Sequence, residues 1–552
     1  MKSYFNHPAK MELIHESIPE RMQRLAEDDP DKTAIVMYHS IDERYELTRM
    51  ELWDRCLRFG RAFYKLNLEK EARVAYCAPN SINWFAYDVG IMMTGAVPVH
   101  LHLGDYDMEK VLGGCDVVLI ENGEHWDDFL SIAEISPGGV VRSKKCPSLK
   151  LAIAVTAADQ PENALLLPEM IAEVDAQYPQ TFKTFPYIDP EDIAFINLTS
   201  GTSGTPKKVK HSHFNVLNCP PVRSVHNEFT DDEVRFVNCD MSTINGYPFD
   251  YLQLGSIFVC GDPSYLNDDR NFEKVVSIWK REECTILSVD PQSVLNLKYS
   301  GFRTRMVVSA GDIMTKDMIH NTFCIADRML LIYSSNEAFR VSHKVYTKSN
   351  IGQYQTGMLG IPTQGVEVKI VNGMGGLMEL GEPGIVCIRS PWLSRGYEGK
   401  SVTSLDMNFW LKTDDVASMT PGGDMQLKGR VLDFIIKTDC CIPTHTIESN
   451  VNRHPDIRGA IVVGVPASDI DEDACACVQL VSGRKFDSAS IRDYCREYVQ
   501  KDNDTFGVTK TILPKHFLQF KEFPIIHAGK FDKLKIQQMA IERLNLGIFK
   551  KK

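Results

Sequence analysis

Nine consecutive residues, Thr199-Ser200-Gly201-Thr202-Ser203-Gly204-Thr205-Pro206-Lys207, bring together groups suited to binding phosphate. Glycine lets backbone N–H groups approach an anion closely, Ser and Thr hydroxyls add donors, and Lys207 supplies a compact positive charge. The apolar run Ala194–Leu198 leads into the loop, and a helix is expected near His213-Phe214-Asn215. No Gly-Lys-Ser/Thr follows four arbitrary residues, so this is not a Walker A loop. A flexible Ser/Gly/Thr surface loop is the competing reading. A second glycine cluster, Gly373-Met374-Gly375-Gly376, is better explained as a hairpin turn than as a phosphate site.

Such a loop needs a frame to hold it. Apolar residues recur at three and four in Ile18–Met22 and from Leu47 to Leu66, the helical period. Strand-like runs then alternate with helical ones. Val74–Ala78 is followed by Ile82–Tyr87 and Ala96–Val99, and later by Ala194–Leu198, Thr285–Val289 and Met306–Ser309. This alternation predicts parallel α/β layers. After about Gly357 the texture changes. Val366–Val371 runs into Asn372-Gly373, a hairpin signal, and Gly384–Arg389 alternates at period two, so this stretch is expected to be antiparallel and barrel-like. From about Arg430 a third texture holds strands at Ala460–Val465, Ala476–Leu480 and His516–Phe520, with helices at Ser488–Val499 and from Lys533. Its roughly 120 residues suit a small separate α/β domain.

A chain of 552 residues suggests several domains, and 43% hydrophobic with 24% charged residues is ordinary globular composition. The formal charge of −12 gives no broad positive field for nucleic acid, and the local basic run Lys207-Lys208-Val209-Lys210-His211 is better explained by phosphate. None of the 15 cysteines forms a Cys-x-x-Cys pair, and Cys440-Cys441 and Cys475-Ala476-Cys477 have the wrong spacing for zinc, so free thiols are expected. Neither a signal peptide, a membrane span nor a C-terminal Ser-Lys-Leu address is read, which makes a cytoplasmic location the expectation.

The 199–207 loop resembles the nucleotide loop of the adenylate-forming, AMP-binding superfamily: acyl-CoA synthetases, adenylation domains of peptide synthetases and beetle luciferases. Further matches follow in the family's order. Tyr333-Ser-Ser-Asn-Glu337 is similar to its Tyr-Gly-x-Thr-Glu segment, and Trp410-Leu-Lys-Thr413-Asp414-Asp415 to its Trp-x-x-Thr-Gly-Asp. Gly429-Arg430-Val-Leu-Asp433 resembles the hinge and Pro524-Ile-Ile-His-Ala-Gly529-Lys530 the C-terminal lysine loop. Supporting matches run from Thr48 to Gly95–Pro98, and through Gly357–Pro362 and Val463–Pro466, so the resemblance covers nearly the whole chain. It is closest to acyl-CoA synthetases of the 4-coumarate–CoA ligase type.

The resemblance implies a large N-terminal AMP-binding domain over residues 1–429, a hinge at 430–433 and a small mobile α+β cap domain over 434–552. The large domain would hold two layered α/β subdomains and a small barrel-like part. It implies that a carboxylate attacks the α-phosphorus of ATP, releasing pyrophosphate, and that a thiol, usually of coenzyme A, then displaces AMP. Thr199, Ser200, Gly201, Thr202, Ser203, Gly204 and Lys207 would cradle the β- and γ-phosphates, with Asn336 as a further phosphate contact. Tyr333 would pack against adenine, Asp415 would accept from the ribose hydroxyls with Arg430 nearby, and Glu337 would bind Mg²⁺. Lys530, Glu337 and Thr202 would carry the catalysis, Lys530 by meeting the carboxylate and the α-phosphate. A core tyrosine, a solvated acid at Glu337, an inter-domain salt bridge at Arg430 and a loop-capping surface lysine at Lys530 are the competing structural roles. The acyl pocket would lie along 240–260, 309–313 and 333–340, where Asp312 meets either a substrate amine or its own backbone. The partner is a small carboxylic acid; neither its identity nor the oligomeric state is legible.

The chain departs from the family pattern at several positions. Lys208 replaces a usual Gly, adding charge beside the triphosphate; Asn336 replaces Thr, Asp414 replaces Gly, and Ile526 replaces Thr. The stretch 240–246 lacks the His or aromatic that often gates the acyl pocket, and Leu432 sits at a usually polar pivot. Thr438-Asp439 stands where acyl-CoA synthetases usually have Gly-Gly against the pantetheine channel. Two alternatives therefore stay open: delivery of the acyl group to an amine, a carrier protein or oxygen, and a ligand-binding member without turnover.

Overall fold

Short strands buried on both faces read as unbroken apolar runs, and Val117–Ile120 is such a strand, with all four residues buried. The computed structural model describes residues 1–10, 12–101, 107–121, 123–158, 160–177, 184–199, 206–219, 229–291, 293–294, 297, 300–399, 405–468, 471–506, 512–524 and 531–546. By internal contacts the chain divides into two units: Met1–Asn6, Glu367–Arg389 and Asp406–Lys552 form one, His7–Val366 and Ser390–Leu405 the other.

Two sheets build the larger unit. The first contains β1 (Arg73–Cys77), β2 (Val97–His100), β3 (Val117–Ile120), β4 (Ile193–Leu198) and β5 (Lys208–Ser212), in the order β5-β4-β2-β1-β3. β4, β2, β1 and β3 are mutually parallel, whereas β5 returns antiparallel along β4. The second sheet runs through β6 (Val234–Val237), β7 (Ile257–Gly261), β8 (Ile286–Ser288), β9 (Thr304–Ala310), β10 (Ala326–Ser335) and β11 (Phe339–Tyr346). Its order is β11-β10-β9-β8-β6-β7, parallel from β10 to β7, with β11 folding back on β10. The amphipathic helix Phe272–Arg281 buries Val275, Val276, Ile278 and Trp279 against Phe236, Leu287 and Val307 of this sheet. Each such fully buried side chain stabilises the fold by about 1.5–3 kcal/mol. Helix Arg49–Tyr64 starts at a capping box in which Thr48 and Glu51 bond each other's backbone N–H. The Ile82–Tyr87 run belongs to helix Trp84–Met93, all ten of whose residues are buried.

The smaller unit holds an antiparallel meander of Val366–Val371, Gly384–Arg389, β12 (Leu411–Met419) and β13 (Met425–Arg430). It also holds a three-stranded sheet of Ile457–Pro466, Glu472–Leu480 and His516–Gln519, with helices Ser488–Phe506 and Lys533–Arg543. Asn372-Gly373 does not make a two-residue hairpin. Asn372 Oδ1 instead accepts from the N–H groups of Met374 and Gly376, and it is Gly375 that takes the positive φ of 82°. The strands pair as the sequence suggests, but over a longer loop.

The α/β fold read from the sequence is thus present. No helix among the described residues is long and apolar enough to cross a membrane. All 15 cysteines are free thiols, and burial pushes most of them well above the usual thiol range.

Candidate active site

The root of the candidate phosphate loop is a hairpin. β4 and β5 pair from Leu198 opposite Lys208, and beyond them Thr199 N–H donates to Lys207 O at 2.9 Å while Lys207 N–H donates to Thr199 Oγ1 at 3.3 Å. Ser200, Gly201, Thr202, Ser203 and Gly204 lie outside the described residues. Strand alternation along β5 turns Val209 and His211 into the core, both fully buried, and leaves Lys208 and Lys210 partly exposed. Lys208 therefore does not point at a phosphate: its Nζ donates to Gly113 O at 2.6 Å. The basic run is split rather than pooled. Burial, with the His100 charge as the second cause, holds the His211 imidazole down to about 3, so it stays neutral.

Three side chains gather at this root. Asn336, in the turn between β10 and β11, donates through Nδ2 to Leu198 O at 3.1 Å. Its neighbour Glu337 accepts at Oε1 from the Tyr397 hydroxyl at 2.6 Å, and the backbone N–H of Ser394 donates to Glu337 O at 2.8 Å. The Tyr397 ring in turn lies 5.4 Å from Lys207 Nζ. A bridge between Val209 and Tyr397 and the bonds of Lys210 with Arg395 and Gly396 hold this segment along β5. The turn is strained: Phe339 has φ 53° yet is buried, packed 4.4 Å from the His211 ring. Tyr333 lies on β10 opposite Ser342 and is 6% exposed.

In the smaller unit Asp415 and Arg430 sit opposite each other on β12 and β13, and Arg430 Nη1 pairs with Asp415 Oδ1 at 3.1 Å. The carboxylate is 9% exposed and the guanidinium side chain 59% exposed, so the arginine covers the acid from the solvent side. Lys530 lies outside the described residues, but the ends of its loop are joined by Asp532 N–H donating to Pro524 O at 2.9 Å. Lys533 Nζ, one turn further, pairs with Asp433 at 2.9 Å and thereby ties helix Lys533–Arg543 to the expected hinge. Thr438 is pinned: both its N–H and its hydroxyl donate to Asp471 Oδ1, the hydroxyl at 2.8 Å.

A cavity of about 130 Å³ opens where β6, β8, β9 and β10 end, the carboxyl edge at which open α/β sheets bind ligands. Its lining overlaps the expected acyl-pocket segments between Ile244 and Phe258, at Ser309 and Ala310, and between Ser334 and Arg340, and adds Arg235, Ser288 and Asp290. Asp312 is outside it and caps the Ile313 N–H at 2.7 Å. Tyr247, on the cavity wall, is held by a buried relay: its hydroxyl donates to Asp88 Oδ2 at 2.9 Å, and Asp88 Oδ1 meets His100 Nε2 at 2.7 Å. Tyr397, Lys533, Arg235 and Arg340 were not singled out from the sequence. Tyr397, Lys533 and Arg235 meet their partners Glu337, Asp433 and Ser288 across tens of positions or more, whereas Arg340 lies within the expected 333–340 segment without standing out there by type or spacing.

The model of the AMP-binding enzyme family matches residues 22–398, well over half of the chain. The chain belongs to the AMP-binding enzyme family. Among relatives of this AMP-binding enzyme, the rat medium-chain acyl-CoA ligase ACSF2, mitochondrial, is 24% identical over 99% of this chain and 91% of its own length. The crystal structure of the anthranilate CoA ligase AuaEII in complex with anthranoyl-AMP superposes with a TM-score of 0.67 at 20% identity, covering 97% of this chain and 99% of that one. The amide bond synthetase McbA from Marinactinospora thermotolerans superposes with a TM-score of 0.62 at 20% identity, covering 95% and 99%. The fold is therefore that of adenylating enzymes.

Proposed function

We propose that this AMP-binding enzyme activates a carboxylic acid with ATP and then forms a thioester with coenzyme A. In the first half, a carboxylate oxygen of the acid bonds to the α-phosphorus, and the bond to the β-phosphate oxygen breaks to release pyrophosphate. In the second, the thiol gives up its proton to solvent, its sulfur bonds to the acyl carbon, and the bond from that carbon to the phosphate oxygen breaks to release AMP. The observation that carries this reading is the convergence of Asn336, Glu337 and Tyr397 on the root of the 199–207 loop beside Lys207.

Thr199, Ser200, Gly201, Thr202, Ser203, Gly204 and Lys207 hold the β- and γ-phosphates in this proposal. Glu337 suits Mg²⁺, which takes one or two carboxylates and completes its shell with phosphate oxygens and water. One Glu337 oxygen is fixed by Tyr397, so the carboxylate is oriented in advance. The cation's part is to neutralise phosphate charge. Tyr333 packs on adenine, and Asp415, its orientation set by Arg430, accepts from the ribose. Lys530 brings its charge to the attacking carboxylate and the α-phosphate. Residues 430–433 act as the hinge ahead of the C-terminal cap.

The pinned Thr438 favours a second reading, in which the acyl group goes to an acceptor other than coenzyme A. Pyrophosphate exchange over a panel of carboxylic acids tests the first half. Exchange that depends on one class of acid is expected, and Lys530→Ala should lower it by about 10²–10³-fold, the usual effect of losing one preorganised charge. Absence of exchange with every acid overturns adenylation. AMP release that ignores added coenzyme A, with a working acid, selects the second reading. A cytoplasmic setting remains part of the proposal and is checked by fractionation against a mitochondrial marker, since the rat relative is named mitochondrial.

A further inference from the structure

The cavity at the carboxyl edge of β6, β8, β9 and β10 has apolar walls, among them Val237, Ile244, Phe249 and Ile332, yet two arginines enter it. Arg235 is matched: it pairs with Asp250 and donates through Nε to Ser288 Oγ at 2.7 Å. Arg340 is not. Its Nη1 is buried without a hydrogen-bond acceptor, and no carboxylate among the described residues lies within ion-pair reach of it. Both arginines line this one cavity, and burial first, with the Arg340 charge second, holds Arg235 down to about 9.

The acids that line the cavity are already spent. Asp250 serves Arg235, and Asp290 accepts from the N–H and hydroxyl of Ser293 at 3.1 and 2.5 Å and from Asn238 Nδ2 at 3.1 Å. The unmatched group is thus a cation, and an unpaired buried cation is strongly unfavourable unless a ligand completes it. A plain alkyl chain would lay methylenes against the guanidinium. A carboxylate would meet it in the planar, two-bond geometry that arginine favours. The volume limits the rest: about 130 Å³ is close to the ~150 Å³ of an engineered cavity that takes a benzene molecule.

We infer that the cavity takes a short dicarboxylic acid, of about four to six carbons by that volume, whose distal carboxylate is held by Arg340. This rests on the adenylation reading for what then happens to the other carboxylate, but the binding itself does not. Calorimetric titration of the full chain with succinate, glutarate and adipate against butanoate, pentanoate and hexanoate tests it, alongside pyrophosphate exchange with the same six acids. The best diacid is expected to bind about 10–100-fold more tightly than the monoacid of equal length, the scale of a charge-assisted hydrogen bond. Arg340→Met should bring that ratio close to one, and Arg340→Lys should retain part of it. Ligand-free Arg340→Met should also melt at a higher temperature than the parent, which a structural ion pair would not allow. Equal binding of diacids and monoacids, or a diacid preference that survives Arg340→Met, overturns the inference; if Arg340→Met does not fold, Arg340→Gln takes the same comparison. Diacid binding that depends on Arg340, without exchange for any acid, leaves the inference standing and removes the adenylation reading. Exchange with monoacids alone does the reverse.

Discussion

The carboxylate proposed to meet Mg²⁺ serves that role only if its oxygens are aimed, and the Tyr397 hydroxyl 2.6 Å from Glu337 Oε1 fixes one of them. A hydrogen bond to a charged group is worth about 1.5–3 kcal/mol, so Tyr397→Phe should cut acid-dependent pyrophosphate exchange by about 10–100-fold. If Glu337 holds Mg²⁺ as proposed, the same change should raise the Mg²⁺ concentration needed for half-maximal exchange, because the carboxylate is then misaimed. A Mg²⁺ titration of both proteins reads the two effects. Loss of rate with an unchanged Mg²⁺ midpoint would assign Tyr397 to packing alone. Of the residues at this root, Thr199, Lys207, Asn336 and Glu337 could be picked out in the sequence because each lies in a compact motif. Tyr397 could not, because 60 positions separate it from Glu337 and only the pairing of its segment along β5 brings it in. Lys208 is the opposite case: its sequence neighbours suggest phosphate, but its Nζ reaches Gly113 O.

At the scale of elements, runs with one clear period were legible. The parallel strands, the period-two stretch at Gly384–Arg389 and the closing helix Lys533–Arg543 lie where apolar spacing put them. Sheet order was not legible, since β4 pairs with β2 across nearly a hundred residues and backbone hydrogen bonds leave no mark on composition. The loop joining strands Phe434–Ile436 and Cys441–Pro443 shows how a short departure acquires meaning only in three dimensions. Thr438 and Asp439 stand where glycines are usual, and Asp471 ties Thr438 down by two hydrogen bonds. Replacing both residues by glycine removes the side-chain bond and widens the backbone's freedom. If this loop limits the second half-reaction, the double variant should speed coenzyme A-dependent AMP release by about threefold or more, the effect of roughly one hydrogen bond, while exchange stays within error. Slower thioester formation would show instead that the pinned loop is itself the productive arrangement.

For the molecule as a whole, buried titratable groups set how stability follows pH, and here they act from both sides. The His211 and His213 rings are fully buried and held down to about 3, burial being the largest cause for each. Unfolded, each would take a proton near pH 6.5, so between that value and about 3 the unfolded chain binds more protons than the folded one. Their contribution is complete above pH 6.5 and is lost as pH falls. Between pH 6.5 and 5 each histidine should cost about 1.5 kcal/mol. Glu121 has the opposite sign. Burial raises its carboxyl to about 7, so the folded chain keeps a proton that the unfolded chain releases near 4.5. That contribution is full below 4.5 and is lost as pH rises through 7. Melting curves of the parent, His211→Gln and Glu121→Gln from pH 5 to 8 separate the two limbs. His211→Gln should lose part of the acid decline even if the buried amide lowers stability everywhere, and Glu121→Gln should gain on the parent only towards pH 8. Parallel curves for all three proteins would mean that neither group changes its protonation between the folded and unfolded chain. The optimum for folding is therefore expected between these limbs, near neutral pH.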